Sequence, residues 1–213
     1  MREQAGASRK CPREGRPCSR CVASRCSASA ASSRRPLDGR ATARPVDYLH
    51  SYADLVRWAR HADLVDAATA VRLDGGDSAL RTAVELREAI FQVFSAIGRG
   101  DAVPAASLAV VQARYAEAAA AGHLVSRGSG FVWDFDGSAP GRAWWPLAIS
   151  AVELLTHGPL ERVKVCALQT SCIGLFLDTT KNRSRRWCTT EGCCLDAKLE
   201  RQAARRKAAR AAG

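Results

Sequence analysis

The sequence predicts a mostly α protein with a small β-hairpin: a helical body, then a small module of a short β run and a C-terminal helix. Three observations predict it. Between residues 50 and 160, apolar side chains recur at helical spacing, punctuated by Ser, Asp, Gly and Pro where helices start and stop. Around Gly128-Ser-Gly130 the pattern changes to the two-residue alternation of strands. Beyond residue 160 large apolar residues thin out, while cysteines gather in two close pairs.

The first helix is expected at Ser51, which offers an N-cap hydroxyl with an acid, Asp54, three residues on, ahead of Leu55, Ala59 and Ala62. Asp66 is placed to cap a second, short helical turn reaching Leu73. Gly75-Gly76 interrupts the chain, and Asp77 or Ser78 begins the strongest helix. It carries Leu80, Val84, Leu86, Ile90, Phe91, Phe94 and Ile97 on one face and is expected to stop at Gly98. Pro104 and Gly122 bracket an alanine-rich helix with Leu108, Val111 and Tyr115. Leu124-Val125 and Phe131 to Phe135 form the two arms of a hairpin, and Pro146 opens a last body helix running through Leu155.

The tail is different in kind. Cys166, Cys172, Cys188 and Cys193 are spaced C-x5-C-x15-C-x4-C. Residues 161–213 have only Val163, Val165, Ile173, Leu175, Phe176, Leu177, Trp187, Leu195 and Leu199 to build a core, and segments this small usually need a metal or disulfides to fold. Four soft thiolates suit Zn2+, which is tetrahedral and closed when structural. Disulfides are the rival account. No apolar leader precedes the body, so the expectation is a reducing cytoplasm, reduced thiols and no membrane association. Cys194, next to Cys193, leaves the choice of fourth ligand open.

Charge is segregated. Residues 1–45 carry eleven Lys/Arg against three acids and residues 181–213 ten against three, whereas the middle has eleven against fifteen, within a net charge of +11. A polyanion would meet the ends and be repelled by the body. The candidate nucleic-acid contacts are Lys181, Arg183, Arg185 and Arg186 between the cysteine pairs, and Lys198, Arg201 and Arg205 on one face of the last helix, widened by Arg206, Lys207 and Arg210. Such a helix could enter a major groove or lie along phosphates. Phosphate contact is the main expectation, with Arg201 the base reader if there is one. Leu195 and Leu199 are expected to pack back toward the metal site, Trp187 to shield it, and Asp178 and Asn182 to hold the turn.

The stretch from Leu175 to Cys188, LFLDTTKNRSRRWC, with Cys193 and Lys198 following, resembles the CGNR zinc finger proteins of bacteria. Cys193-Cys194-Leu195-Asp196 stands where that family has its eponymous Cys-Gly-Asn-Arg. The resemblance places the fourth ligand at Cys193. Residues 45–59 and 144–155 resemble the ABATE domain that precedes this finger in the same family. Together these imply a stress-responsive transcription regulator with a helical body and a DNA-binding finger, and they leave target and inducer unspecified.

The expected organisation is a basic Cys/Arg/Ser/Ala-rich disordered tail over 1–36, a helical domain over 37–160 and the finger over 161–213. The tail lacks the strand-like opening of the family body, and its composition fits an unnatural start in a GC-rich gene. Cys11, Cys18, Cys21 and Cys26 have only Val22 among them to pack a second metal site, which argues against one. Catalysis is not expected: His50, His61, His123 and His157 are isolated, and Gly128-Ser-Gly130 lacks the strand-to-helix setting of a phosphate loop. The alternatives to a DNA-binding regulator are a zinc-stabilised protein–protein adaptor, with a homo-oligomer or a protein as partner, and a thiol redox sensor in which Cys194 takes part.

Overall fold

The computed structural model describes residue 47 and residues 49–168 and 172–211. The basic tail over 1–36 and Cys11, Cys18, Cys21 and Cys26 lie outside the described residues. Ser51 caps helix α1 (Tyr52–His61): its hydroxyl accepts from the Asp54 amide at 3.2 Å while the Asp54 carboxylate takes the Ser51 hydroxyl at 2.9 Å and the His50 amide at 3.2 Å. The reciprocal arrangement satisfies amides that a helix start leaves orphaned. Asp66 caps α2 (Ala67–Arg72) through the Thr69 amide at 2.7 Å.

Helix α3 (Asp77–Arg99) is the central element, burying Ala83, Leu86, Ala89, Ile90, Val93, Phe94 and Ala96. It does not stop at Gly98 as expected. The helix continues to Arg99 and ends at Gly100, whose φ of 75° is the left-handed C-cap that only glycine adopts without cost. Gly98 serves space instead: a Cβ there would lie 3.3 Å from both the amide nitrogen and a methyl of Val165.

Pro104 and Gly122 flank α4 (Ala105–Ala121), as their positions imply. Strands β1 (Gly122–Arg127) and β2 (Gly130–Phe135) follow, paired antiparallel in the register Gly122 with Phe135 and Arg127 with Gly130. Phe135 is buried at the hairpin root, 5.4 Å from the Trp145 ring, while Leu124 and Phe131 toward the tip are exposed. Helix α5 (Trp145–His157), with Pro146 in its first turn, packs on α4, which itself packs on α3.

Two further short strands, β3 (Val163–Val165) and β4 (Leu175–Leu177), pair antiparallel with Val163 opposite Leu177 and Val165 opposite Leu175. They lie against α3. Val163 and Leu175 belong to the same buried cluster as Leu86 and Ile90, with Val165 and Leu177 packed against it. The apolar residues of these two strands therefore complete the body's core. A π-turn (Thr190–Cys194) leads into α6 (Leu195–Ala211). The expected back-packing of Leu195 and Leu199 is not found, since they are 49% and 54% exposed. Every residue from Lys198 to Arg210 is exposed, because the short turn feeds α6 away from the body.

Candidate metal centre and basic surface

Strand β3 delivers Cys166, which is fully buried, and Cys172 enters just ahead of β4. Cys188 comes off the loop after β4, and Cys193 sits in the π-turn. The Thr189 hydroxyl caps that turn by accepting from the Cys193 amide at 3.2 Å. The ligand atoms of Cys166, Cys172, Cys188 and Cys193 all lie within 4.8 Å of one another. The sulfurs of Cys172 and Cys188 are 3.6 Å apart, and those of Cys188 and Cys193 3.5 Å. Four sulfurs at 2.3 Å from a tetrahedral ion would be roughly 3.8 Å apart, so the cluster has the dimensions of a closed thiolate site. Among the described residues it is the one such group, and Cys194 stands outside it.

Backbone geometry supports the cluster. The Cys166 amide donates to the Gly174 carbonyl at 2.8 Å, and the Gly174 amide donates to the Cys172 sulfur at 3.3 Å. A Cβ on Gly174 would lie 2.9 Å from the Cys188 sulfur, closer than real Cβ atoms come, and a tight 3.1 Å from that of Cys172. Without a metal, the hydrogen bond from Cys188 and then the Gly174 amide bring the Cys172 thiol down to about 5 against its burial. Cys188, which donates to that thiolate, is pushed up, and burial first of all raises Cys193 to about 11. Thiolate charge in the cluster, together with burial, thus opposes ionisation of the other thiols. A cation at the centre would remove that conflict.

The loop between β4 and Cys188 is organised by a buried acid. Asp178 is fully buried and accepts from Lys164 Nζ at 2.7 Å, the Thr180 amide at 2.9 Å, the Thr180 hydroxyl at 2.6 Å and the Arg185 amide at 3.0 Å. Burial pushes its carboxyl up, but the Lys164 ammonium and the Thr180 donors outweigh burial and hold it well below the usual carboxylate range. Lys164 also donates to the Arg183 carbonyl at 2.5 Å, and Arg162 to the carbonyls of Asp178 and Thr180 at 3.0 Å each. Lys164, Arg162, Gly174 and Thr189 were not singled out from sequence. Only the pairing of β3 with β4 brings the two bases to the loop.

The basic residues divide by what they touch. Arg185 turns inward: its guanidinium lies 4.7 Å from the Phe176 ring centroid and donates to the carbonyls of Trp187, at 2.9 Å, and Cys188. Arg183, at φ 51°, pairs with Glu161 at 3.4 Å. Lys181 and Asn182 are exposed on the same loop. Arg186 is exposed with its guanidinium 5.4 Å from the Trp187 ring, and Arg201 reaches back from α6 to 6.0 Å from that ring while its Nε donates to the Ala197 carbonyl at 3.0 Å. Trp187 itself is half-buried. Lys198, Arg205, Arg206, Lys207 and Arg210 are all exposed on α6.

Comparison with known families finds two matches along the chain. Residues 27–158 match ABATE, described as "Putative stress-induced transcription regulator", and residues 162–206 match the CGNR zinc finger. Both descriptions are of regulatory or zinc-finger proteins and neither is of an enzyme. No curated protein matches the chain. The match over most of its length, followed by the finger with its four gathered thiols, makes the chain a member of the ABATE family carrying a CGNR zinc finger.

Proposed function

We propose that Cys166, Cys172, Cys188 and Cys193 hold one structural zinc ion and that the protein is a cytoplasmic DNA-binding transcription regulator whose finger meets the duplex through basic side chains. The observation that carries the metal reading is the packing of four thiol sulfurs within 4.8 Å of one another, with no other donor among them. Bound there, zinc supplies a cross-link between the β3–β4 segment and the start of α6, and leaves no open position for catalysis. The family description supports the regulatory reading, and the exposed bases of α6, together with Lys181 and Arg186, supply the charge a duplex attracts. Among the described residues, no helix is long and apolar enough to cross a membrane.

Two measurements test this. Anaerobically purified protein should hold one zinc per chain, and near-zero zinc would remove the metal reading. Fluorescence anisotropy of a labelled duplex over a salt series should give log K falling linearly with log salt, with a slope of about −0.9 for each phosphate contacted. Zinc-loaded protein that binds no duplex at any salt concentration would favour a protein–protein adaptor, for which the exposed Leu195 and Leu199 on α6 offer an apolar contact.

A further inference from the structure

Helix α6 leaves the π-turn with its residues exposed from Lys198 onward, yet one of its side chains returns to the finger. Arg201 lies over the ring of Trp187, and Arg186, from the loop before the third cysteine, lies near the same ring. Of the other bases around this loop, Arg185 is engaged with main-chain carbonyls, Lys164 with Asp178, Arg183 with Glu161 and Arg162 with two carbonyls, while Lys181 is exposed. Arg186 and Arg201 are exposed, and among the described side chains neither has a carboxylate partner. Two like charges are gathered on one aromatic surface, with no ion pair to either among the described side chains. An indole face attracts each guanidinium by about 0.5–1 kcal/mol at an exposed site, enough to orient a side chain but not to satisfy its five N–H donors.

We propose that Trp187 is a positioning residue that holds Arg186 and Arg201 as a two-pronged grip on the phosphate backbone of a DNA strand, one prong from the finger loop and one from α6. Guanidinium matches phosphate in a bidentate geometry that an ammonium lacks. Holding both forks against a ring anchored beside Cys188 removes part of the side-chain entropy that binding would otherwise cost. The grip also helps set the direction of α6, since Arg201 is an α6 side chain that reaches Trp187. Arg201 is thereby assigned to backbone contact, in place of the base-reading role its position on the helix suggests. The proposal rests on the duplex-binding reading above.

The test is a double-mutant cycle on the full-length, zinc-loaded chain, read by anisotropy of a labelled duplex of mixed sequence over a salt series. Arg186→Gln and Arg201→Gln are each expected to weaken binding about tenfold and to lower the magnitude of the salt slope by about 0.9, alike on duplexes of different sequence. Trp187→Phe, which keeps an aromatic face, should stay near wild type. Trp187→Leu should weaken binding, and in its background each arginine change should cost less than about threefold, because the forks are no longer held. Zinc content, measured on every variant, separates loss of the grip from loss of the finger. Should Trp187→Leu fail to retain zinc, Trp187→Phe against Trp187→His makes the same comparison of ring faces.

Full arginine effects persisting without the Trp187 ring would overturn the positioning role. Unchanged affinity and slope in both arginine variants, with Lys198→Gln still weakening binding, would overturn the grip while leaving duplex binding intact. Absence of salt-dependent binding in the zinc-loaded wild type would overturn both readings together.

Discussion

The two halves of the finger are held by different forces. The front half, β3 and β4, is built into the body: Val163 and Leu175 are 8% and 7% exposed, Cys166 is fully buried, and Gly98 of α3 lets the Val165 backbone approach to van der Waals contact. The back half, from Cys188 through α6, has no comparable core, and Leu195 and Leu199 are about half exposed. Two thiols of the cluster belong to the anchored half and two to the half without a core. A metal joining them would therefore not fold the tail from nothing. It would fasten a dependent segment to a framework that burial has already made.

The largest expected effect is that of metal removal, and it should be uneven. Structural zinc contributes about 10–16 kcal/mol where a whole finger depends on it, but here the body's burial stabilises β3 and β4 independently. Chelation should make the segment after Cys188 rapidly cleavable by protease, while the main thermal transition, followed by helical circular dichroism, survives at a reduced temperature. Loss of that transition together with the metal would show that the two halves are a single cooperative unit and break the contrast.

Next is the buried acid that joins the anchored strand to the basic loop. Asp178→Asn removes the charge facing Lys164, whose side chain is 30% exposed, and leaves the Arg185 amide and Thr180 donors with a weaker acceptor. Truncating one member of a buried pair costs about 3–5 kcal/mol. Partial exposure of Lys164 should bring this nearer about 2–3 kcal/mol, measured by denaturant unfolding. A loss under about 0.5 kcal/mol would mean that the loop is not held through Asp178.

Smaller again is a pair of glycine changes, each aimed at one joint. Gly98→Val places a branched side chain against the Val165 backbone, and overpacking of this kind costs about 1–3 kcal/mol. It should also weaken zinc retention in a chelator competition, because β3 carries Cys166. Gly174→Ala puts its methyl between the Cys172 and Cys188 sulfurs and should weaken zinc retention with little change in the body's transition. If both changes acted on stability and zinc alike, the joint on α3 and the joint at the thiols would not be separable.

How much of this was legible in the sequence follows from sequence distance. The caps at Ser51 and Asp66, the hairpin around Gly128 and the start of α5 at Pro146 are set by residues a few positions apart, and those patterns place the elements well. The cysteine spacing marks a candidate site for the same reason. Gly98 looked like a stop signal because its partner, Val165, is far along the chain, and a glycine needed for space reads like a glycine needed for a turn. Arg185 looked like one base among several, since nothing local says that it points at Phe176 and its own backbone. Leu195 and Leu199 suggested back-packing by their helical spacing, but spacing does not reveal whether a surface exists to receive them.

The smallest expected effect sharpens the contrast with a single residue type. Leu175 and Leu199 are the same side chain on opposite halves, 7% and 54% exposed. Leu175→Ala empties a site between β4 and α3 and should cost about 2–5 kcal/mol. Leu199→Ala removes a side chain that is largely in water already and, on a helix where alanine has the better propensity, should change stability by less than about 0.5 kcal/mol. Unfolding of both variants at two protein concentrations is the informative measurement. A concentration-dependent loss in Leu199→Ala would mean that α6 is covered in solution by a second copy of the chain, and the back half would then have a core supplied from outside. With no such dependence, α6 is a helix held at one end by its turn and near its middle by Arg201 on Trp187, and its leucines contribute little to the fold of the free protein.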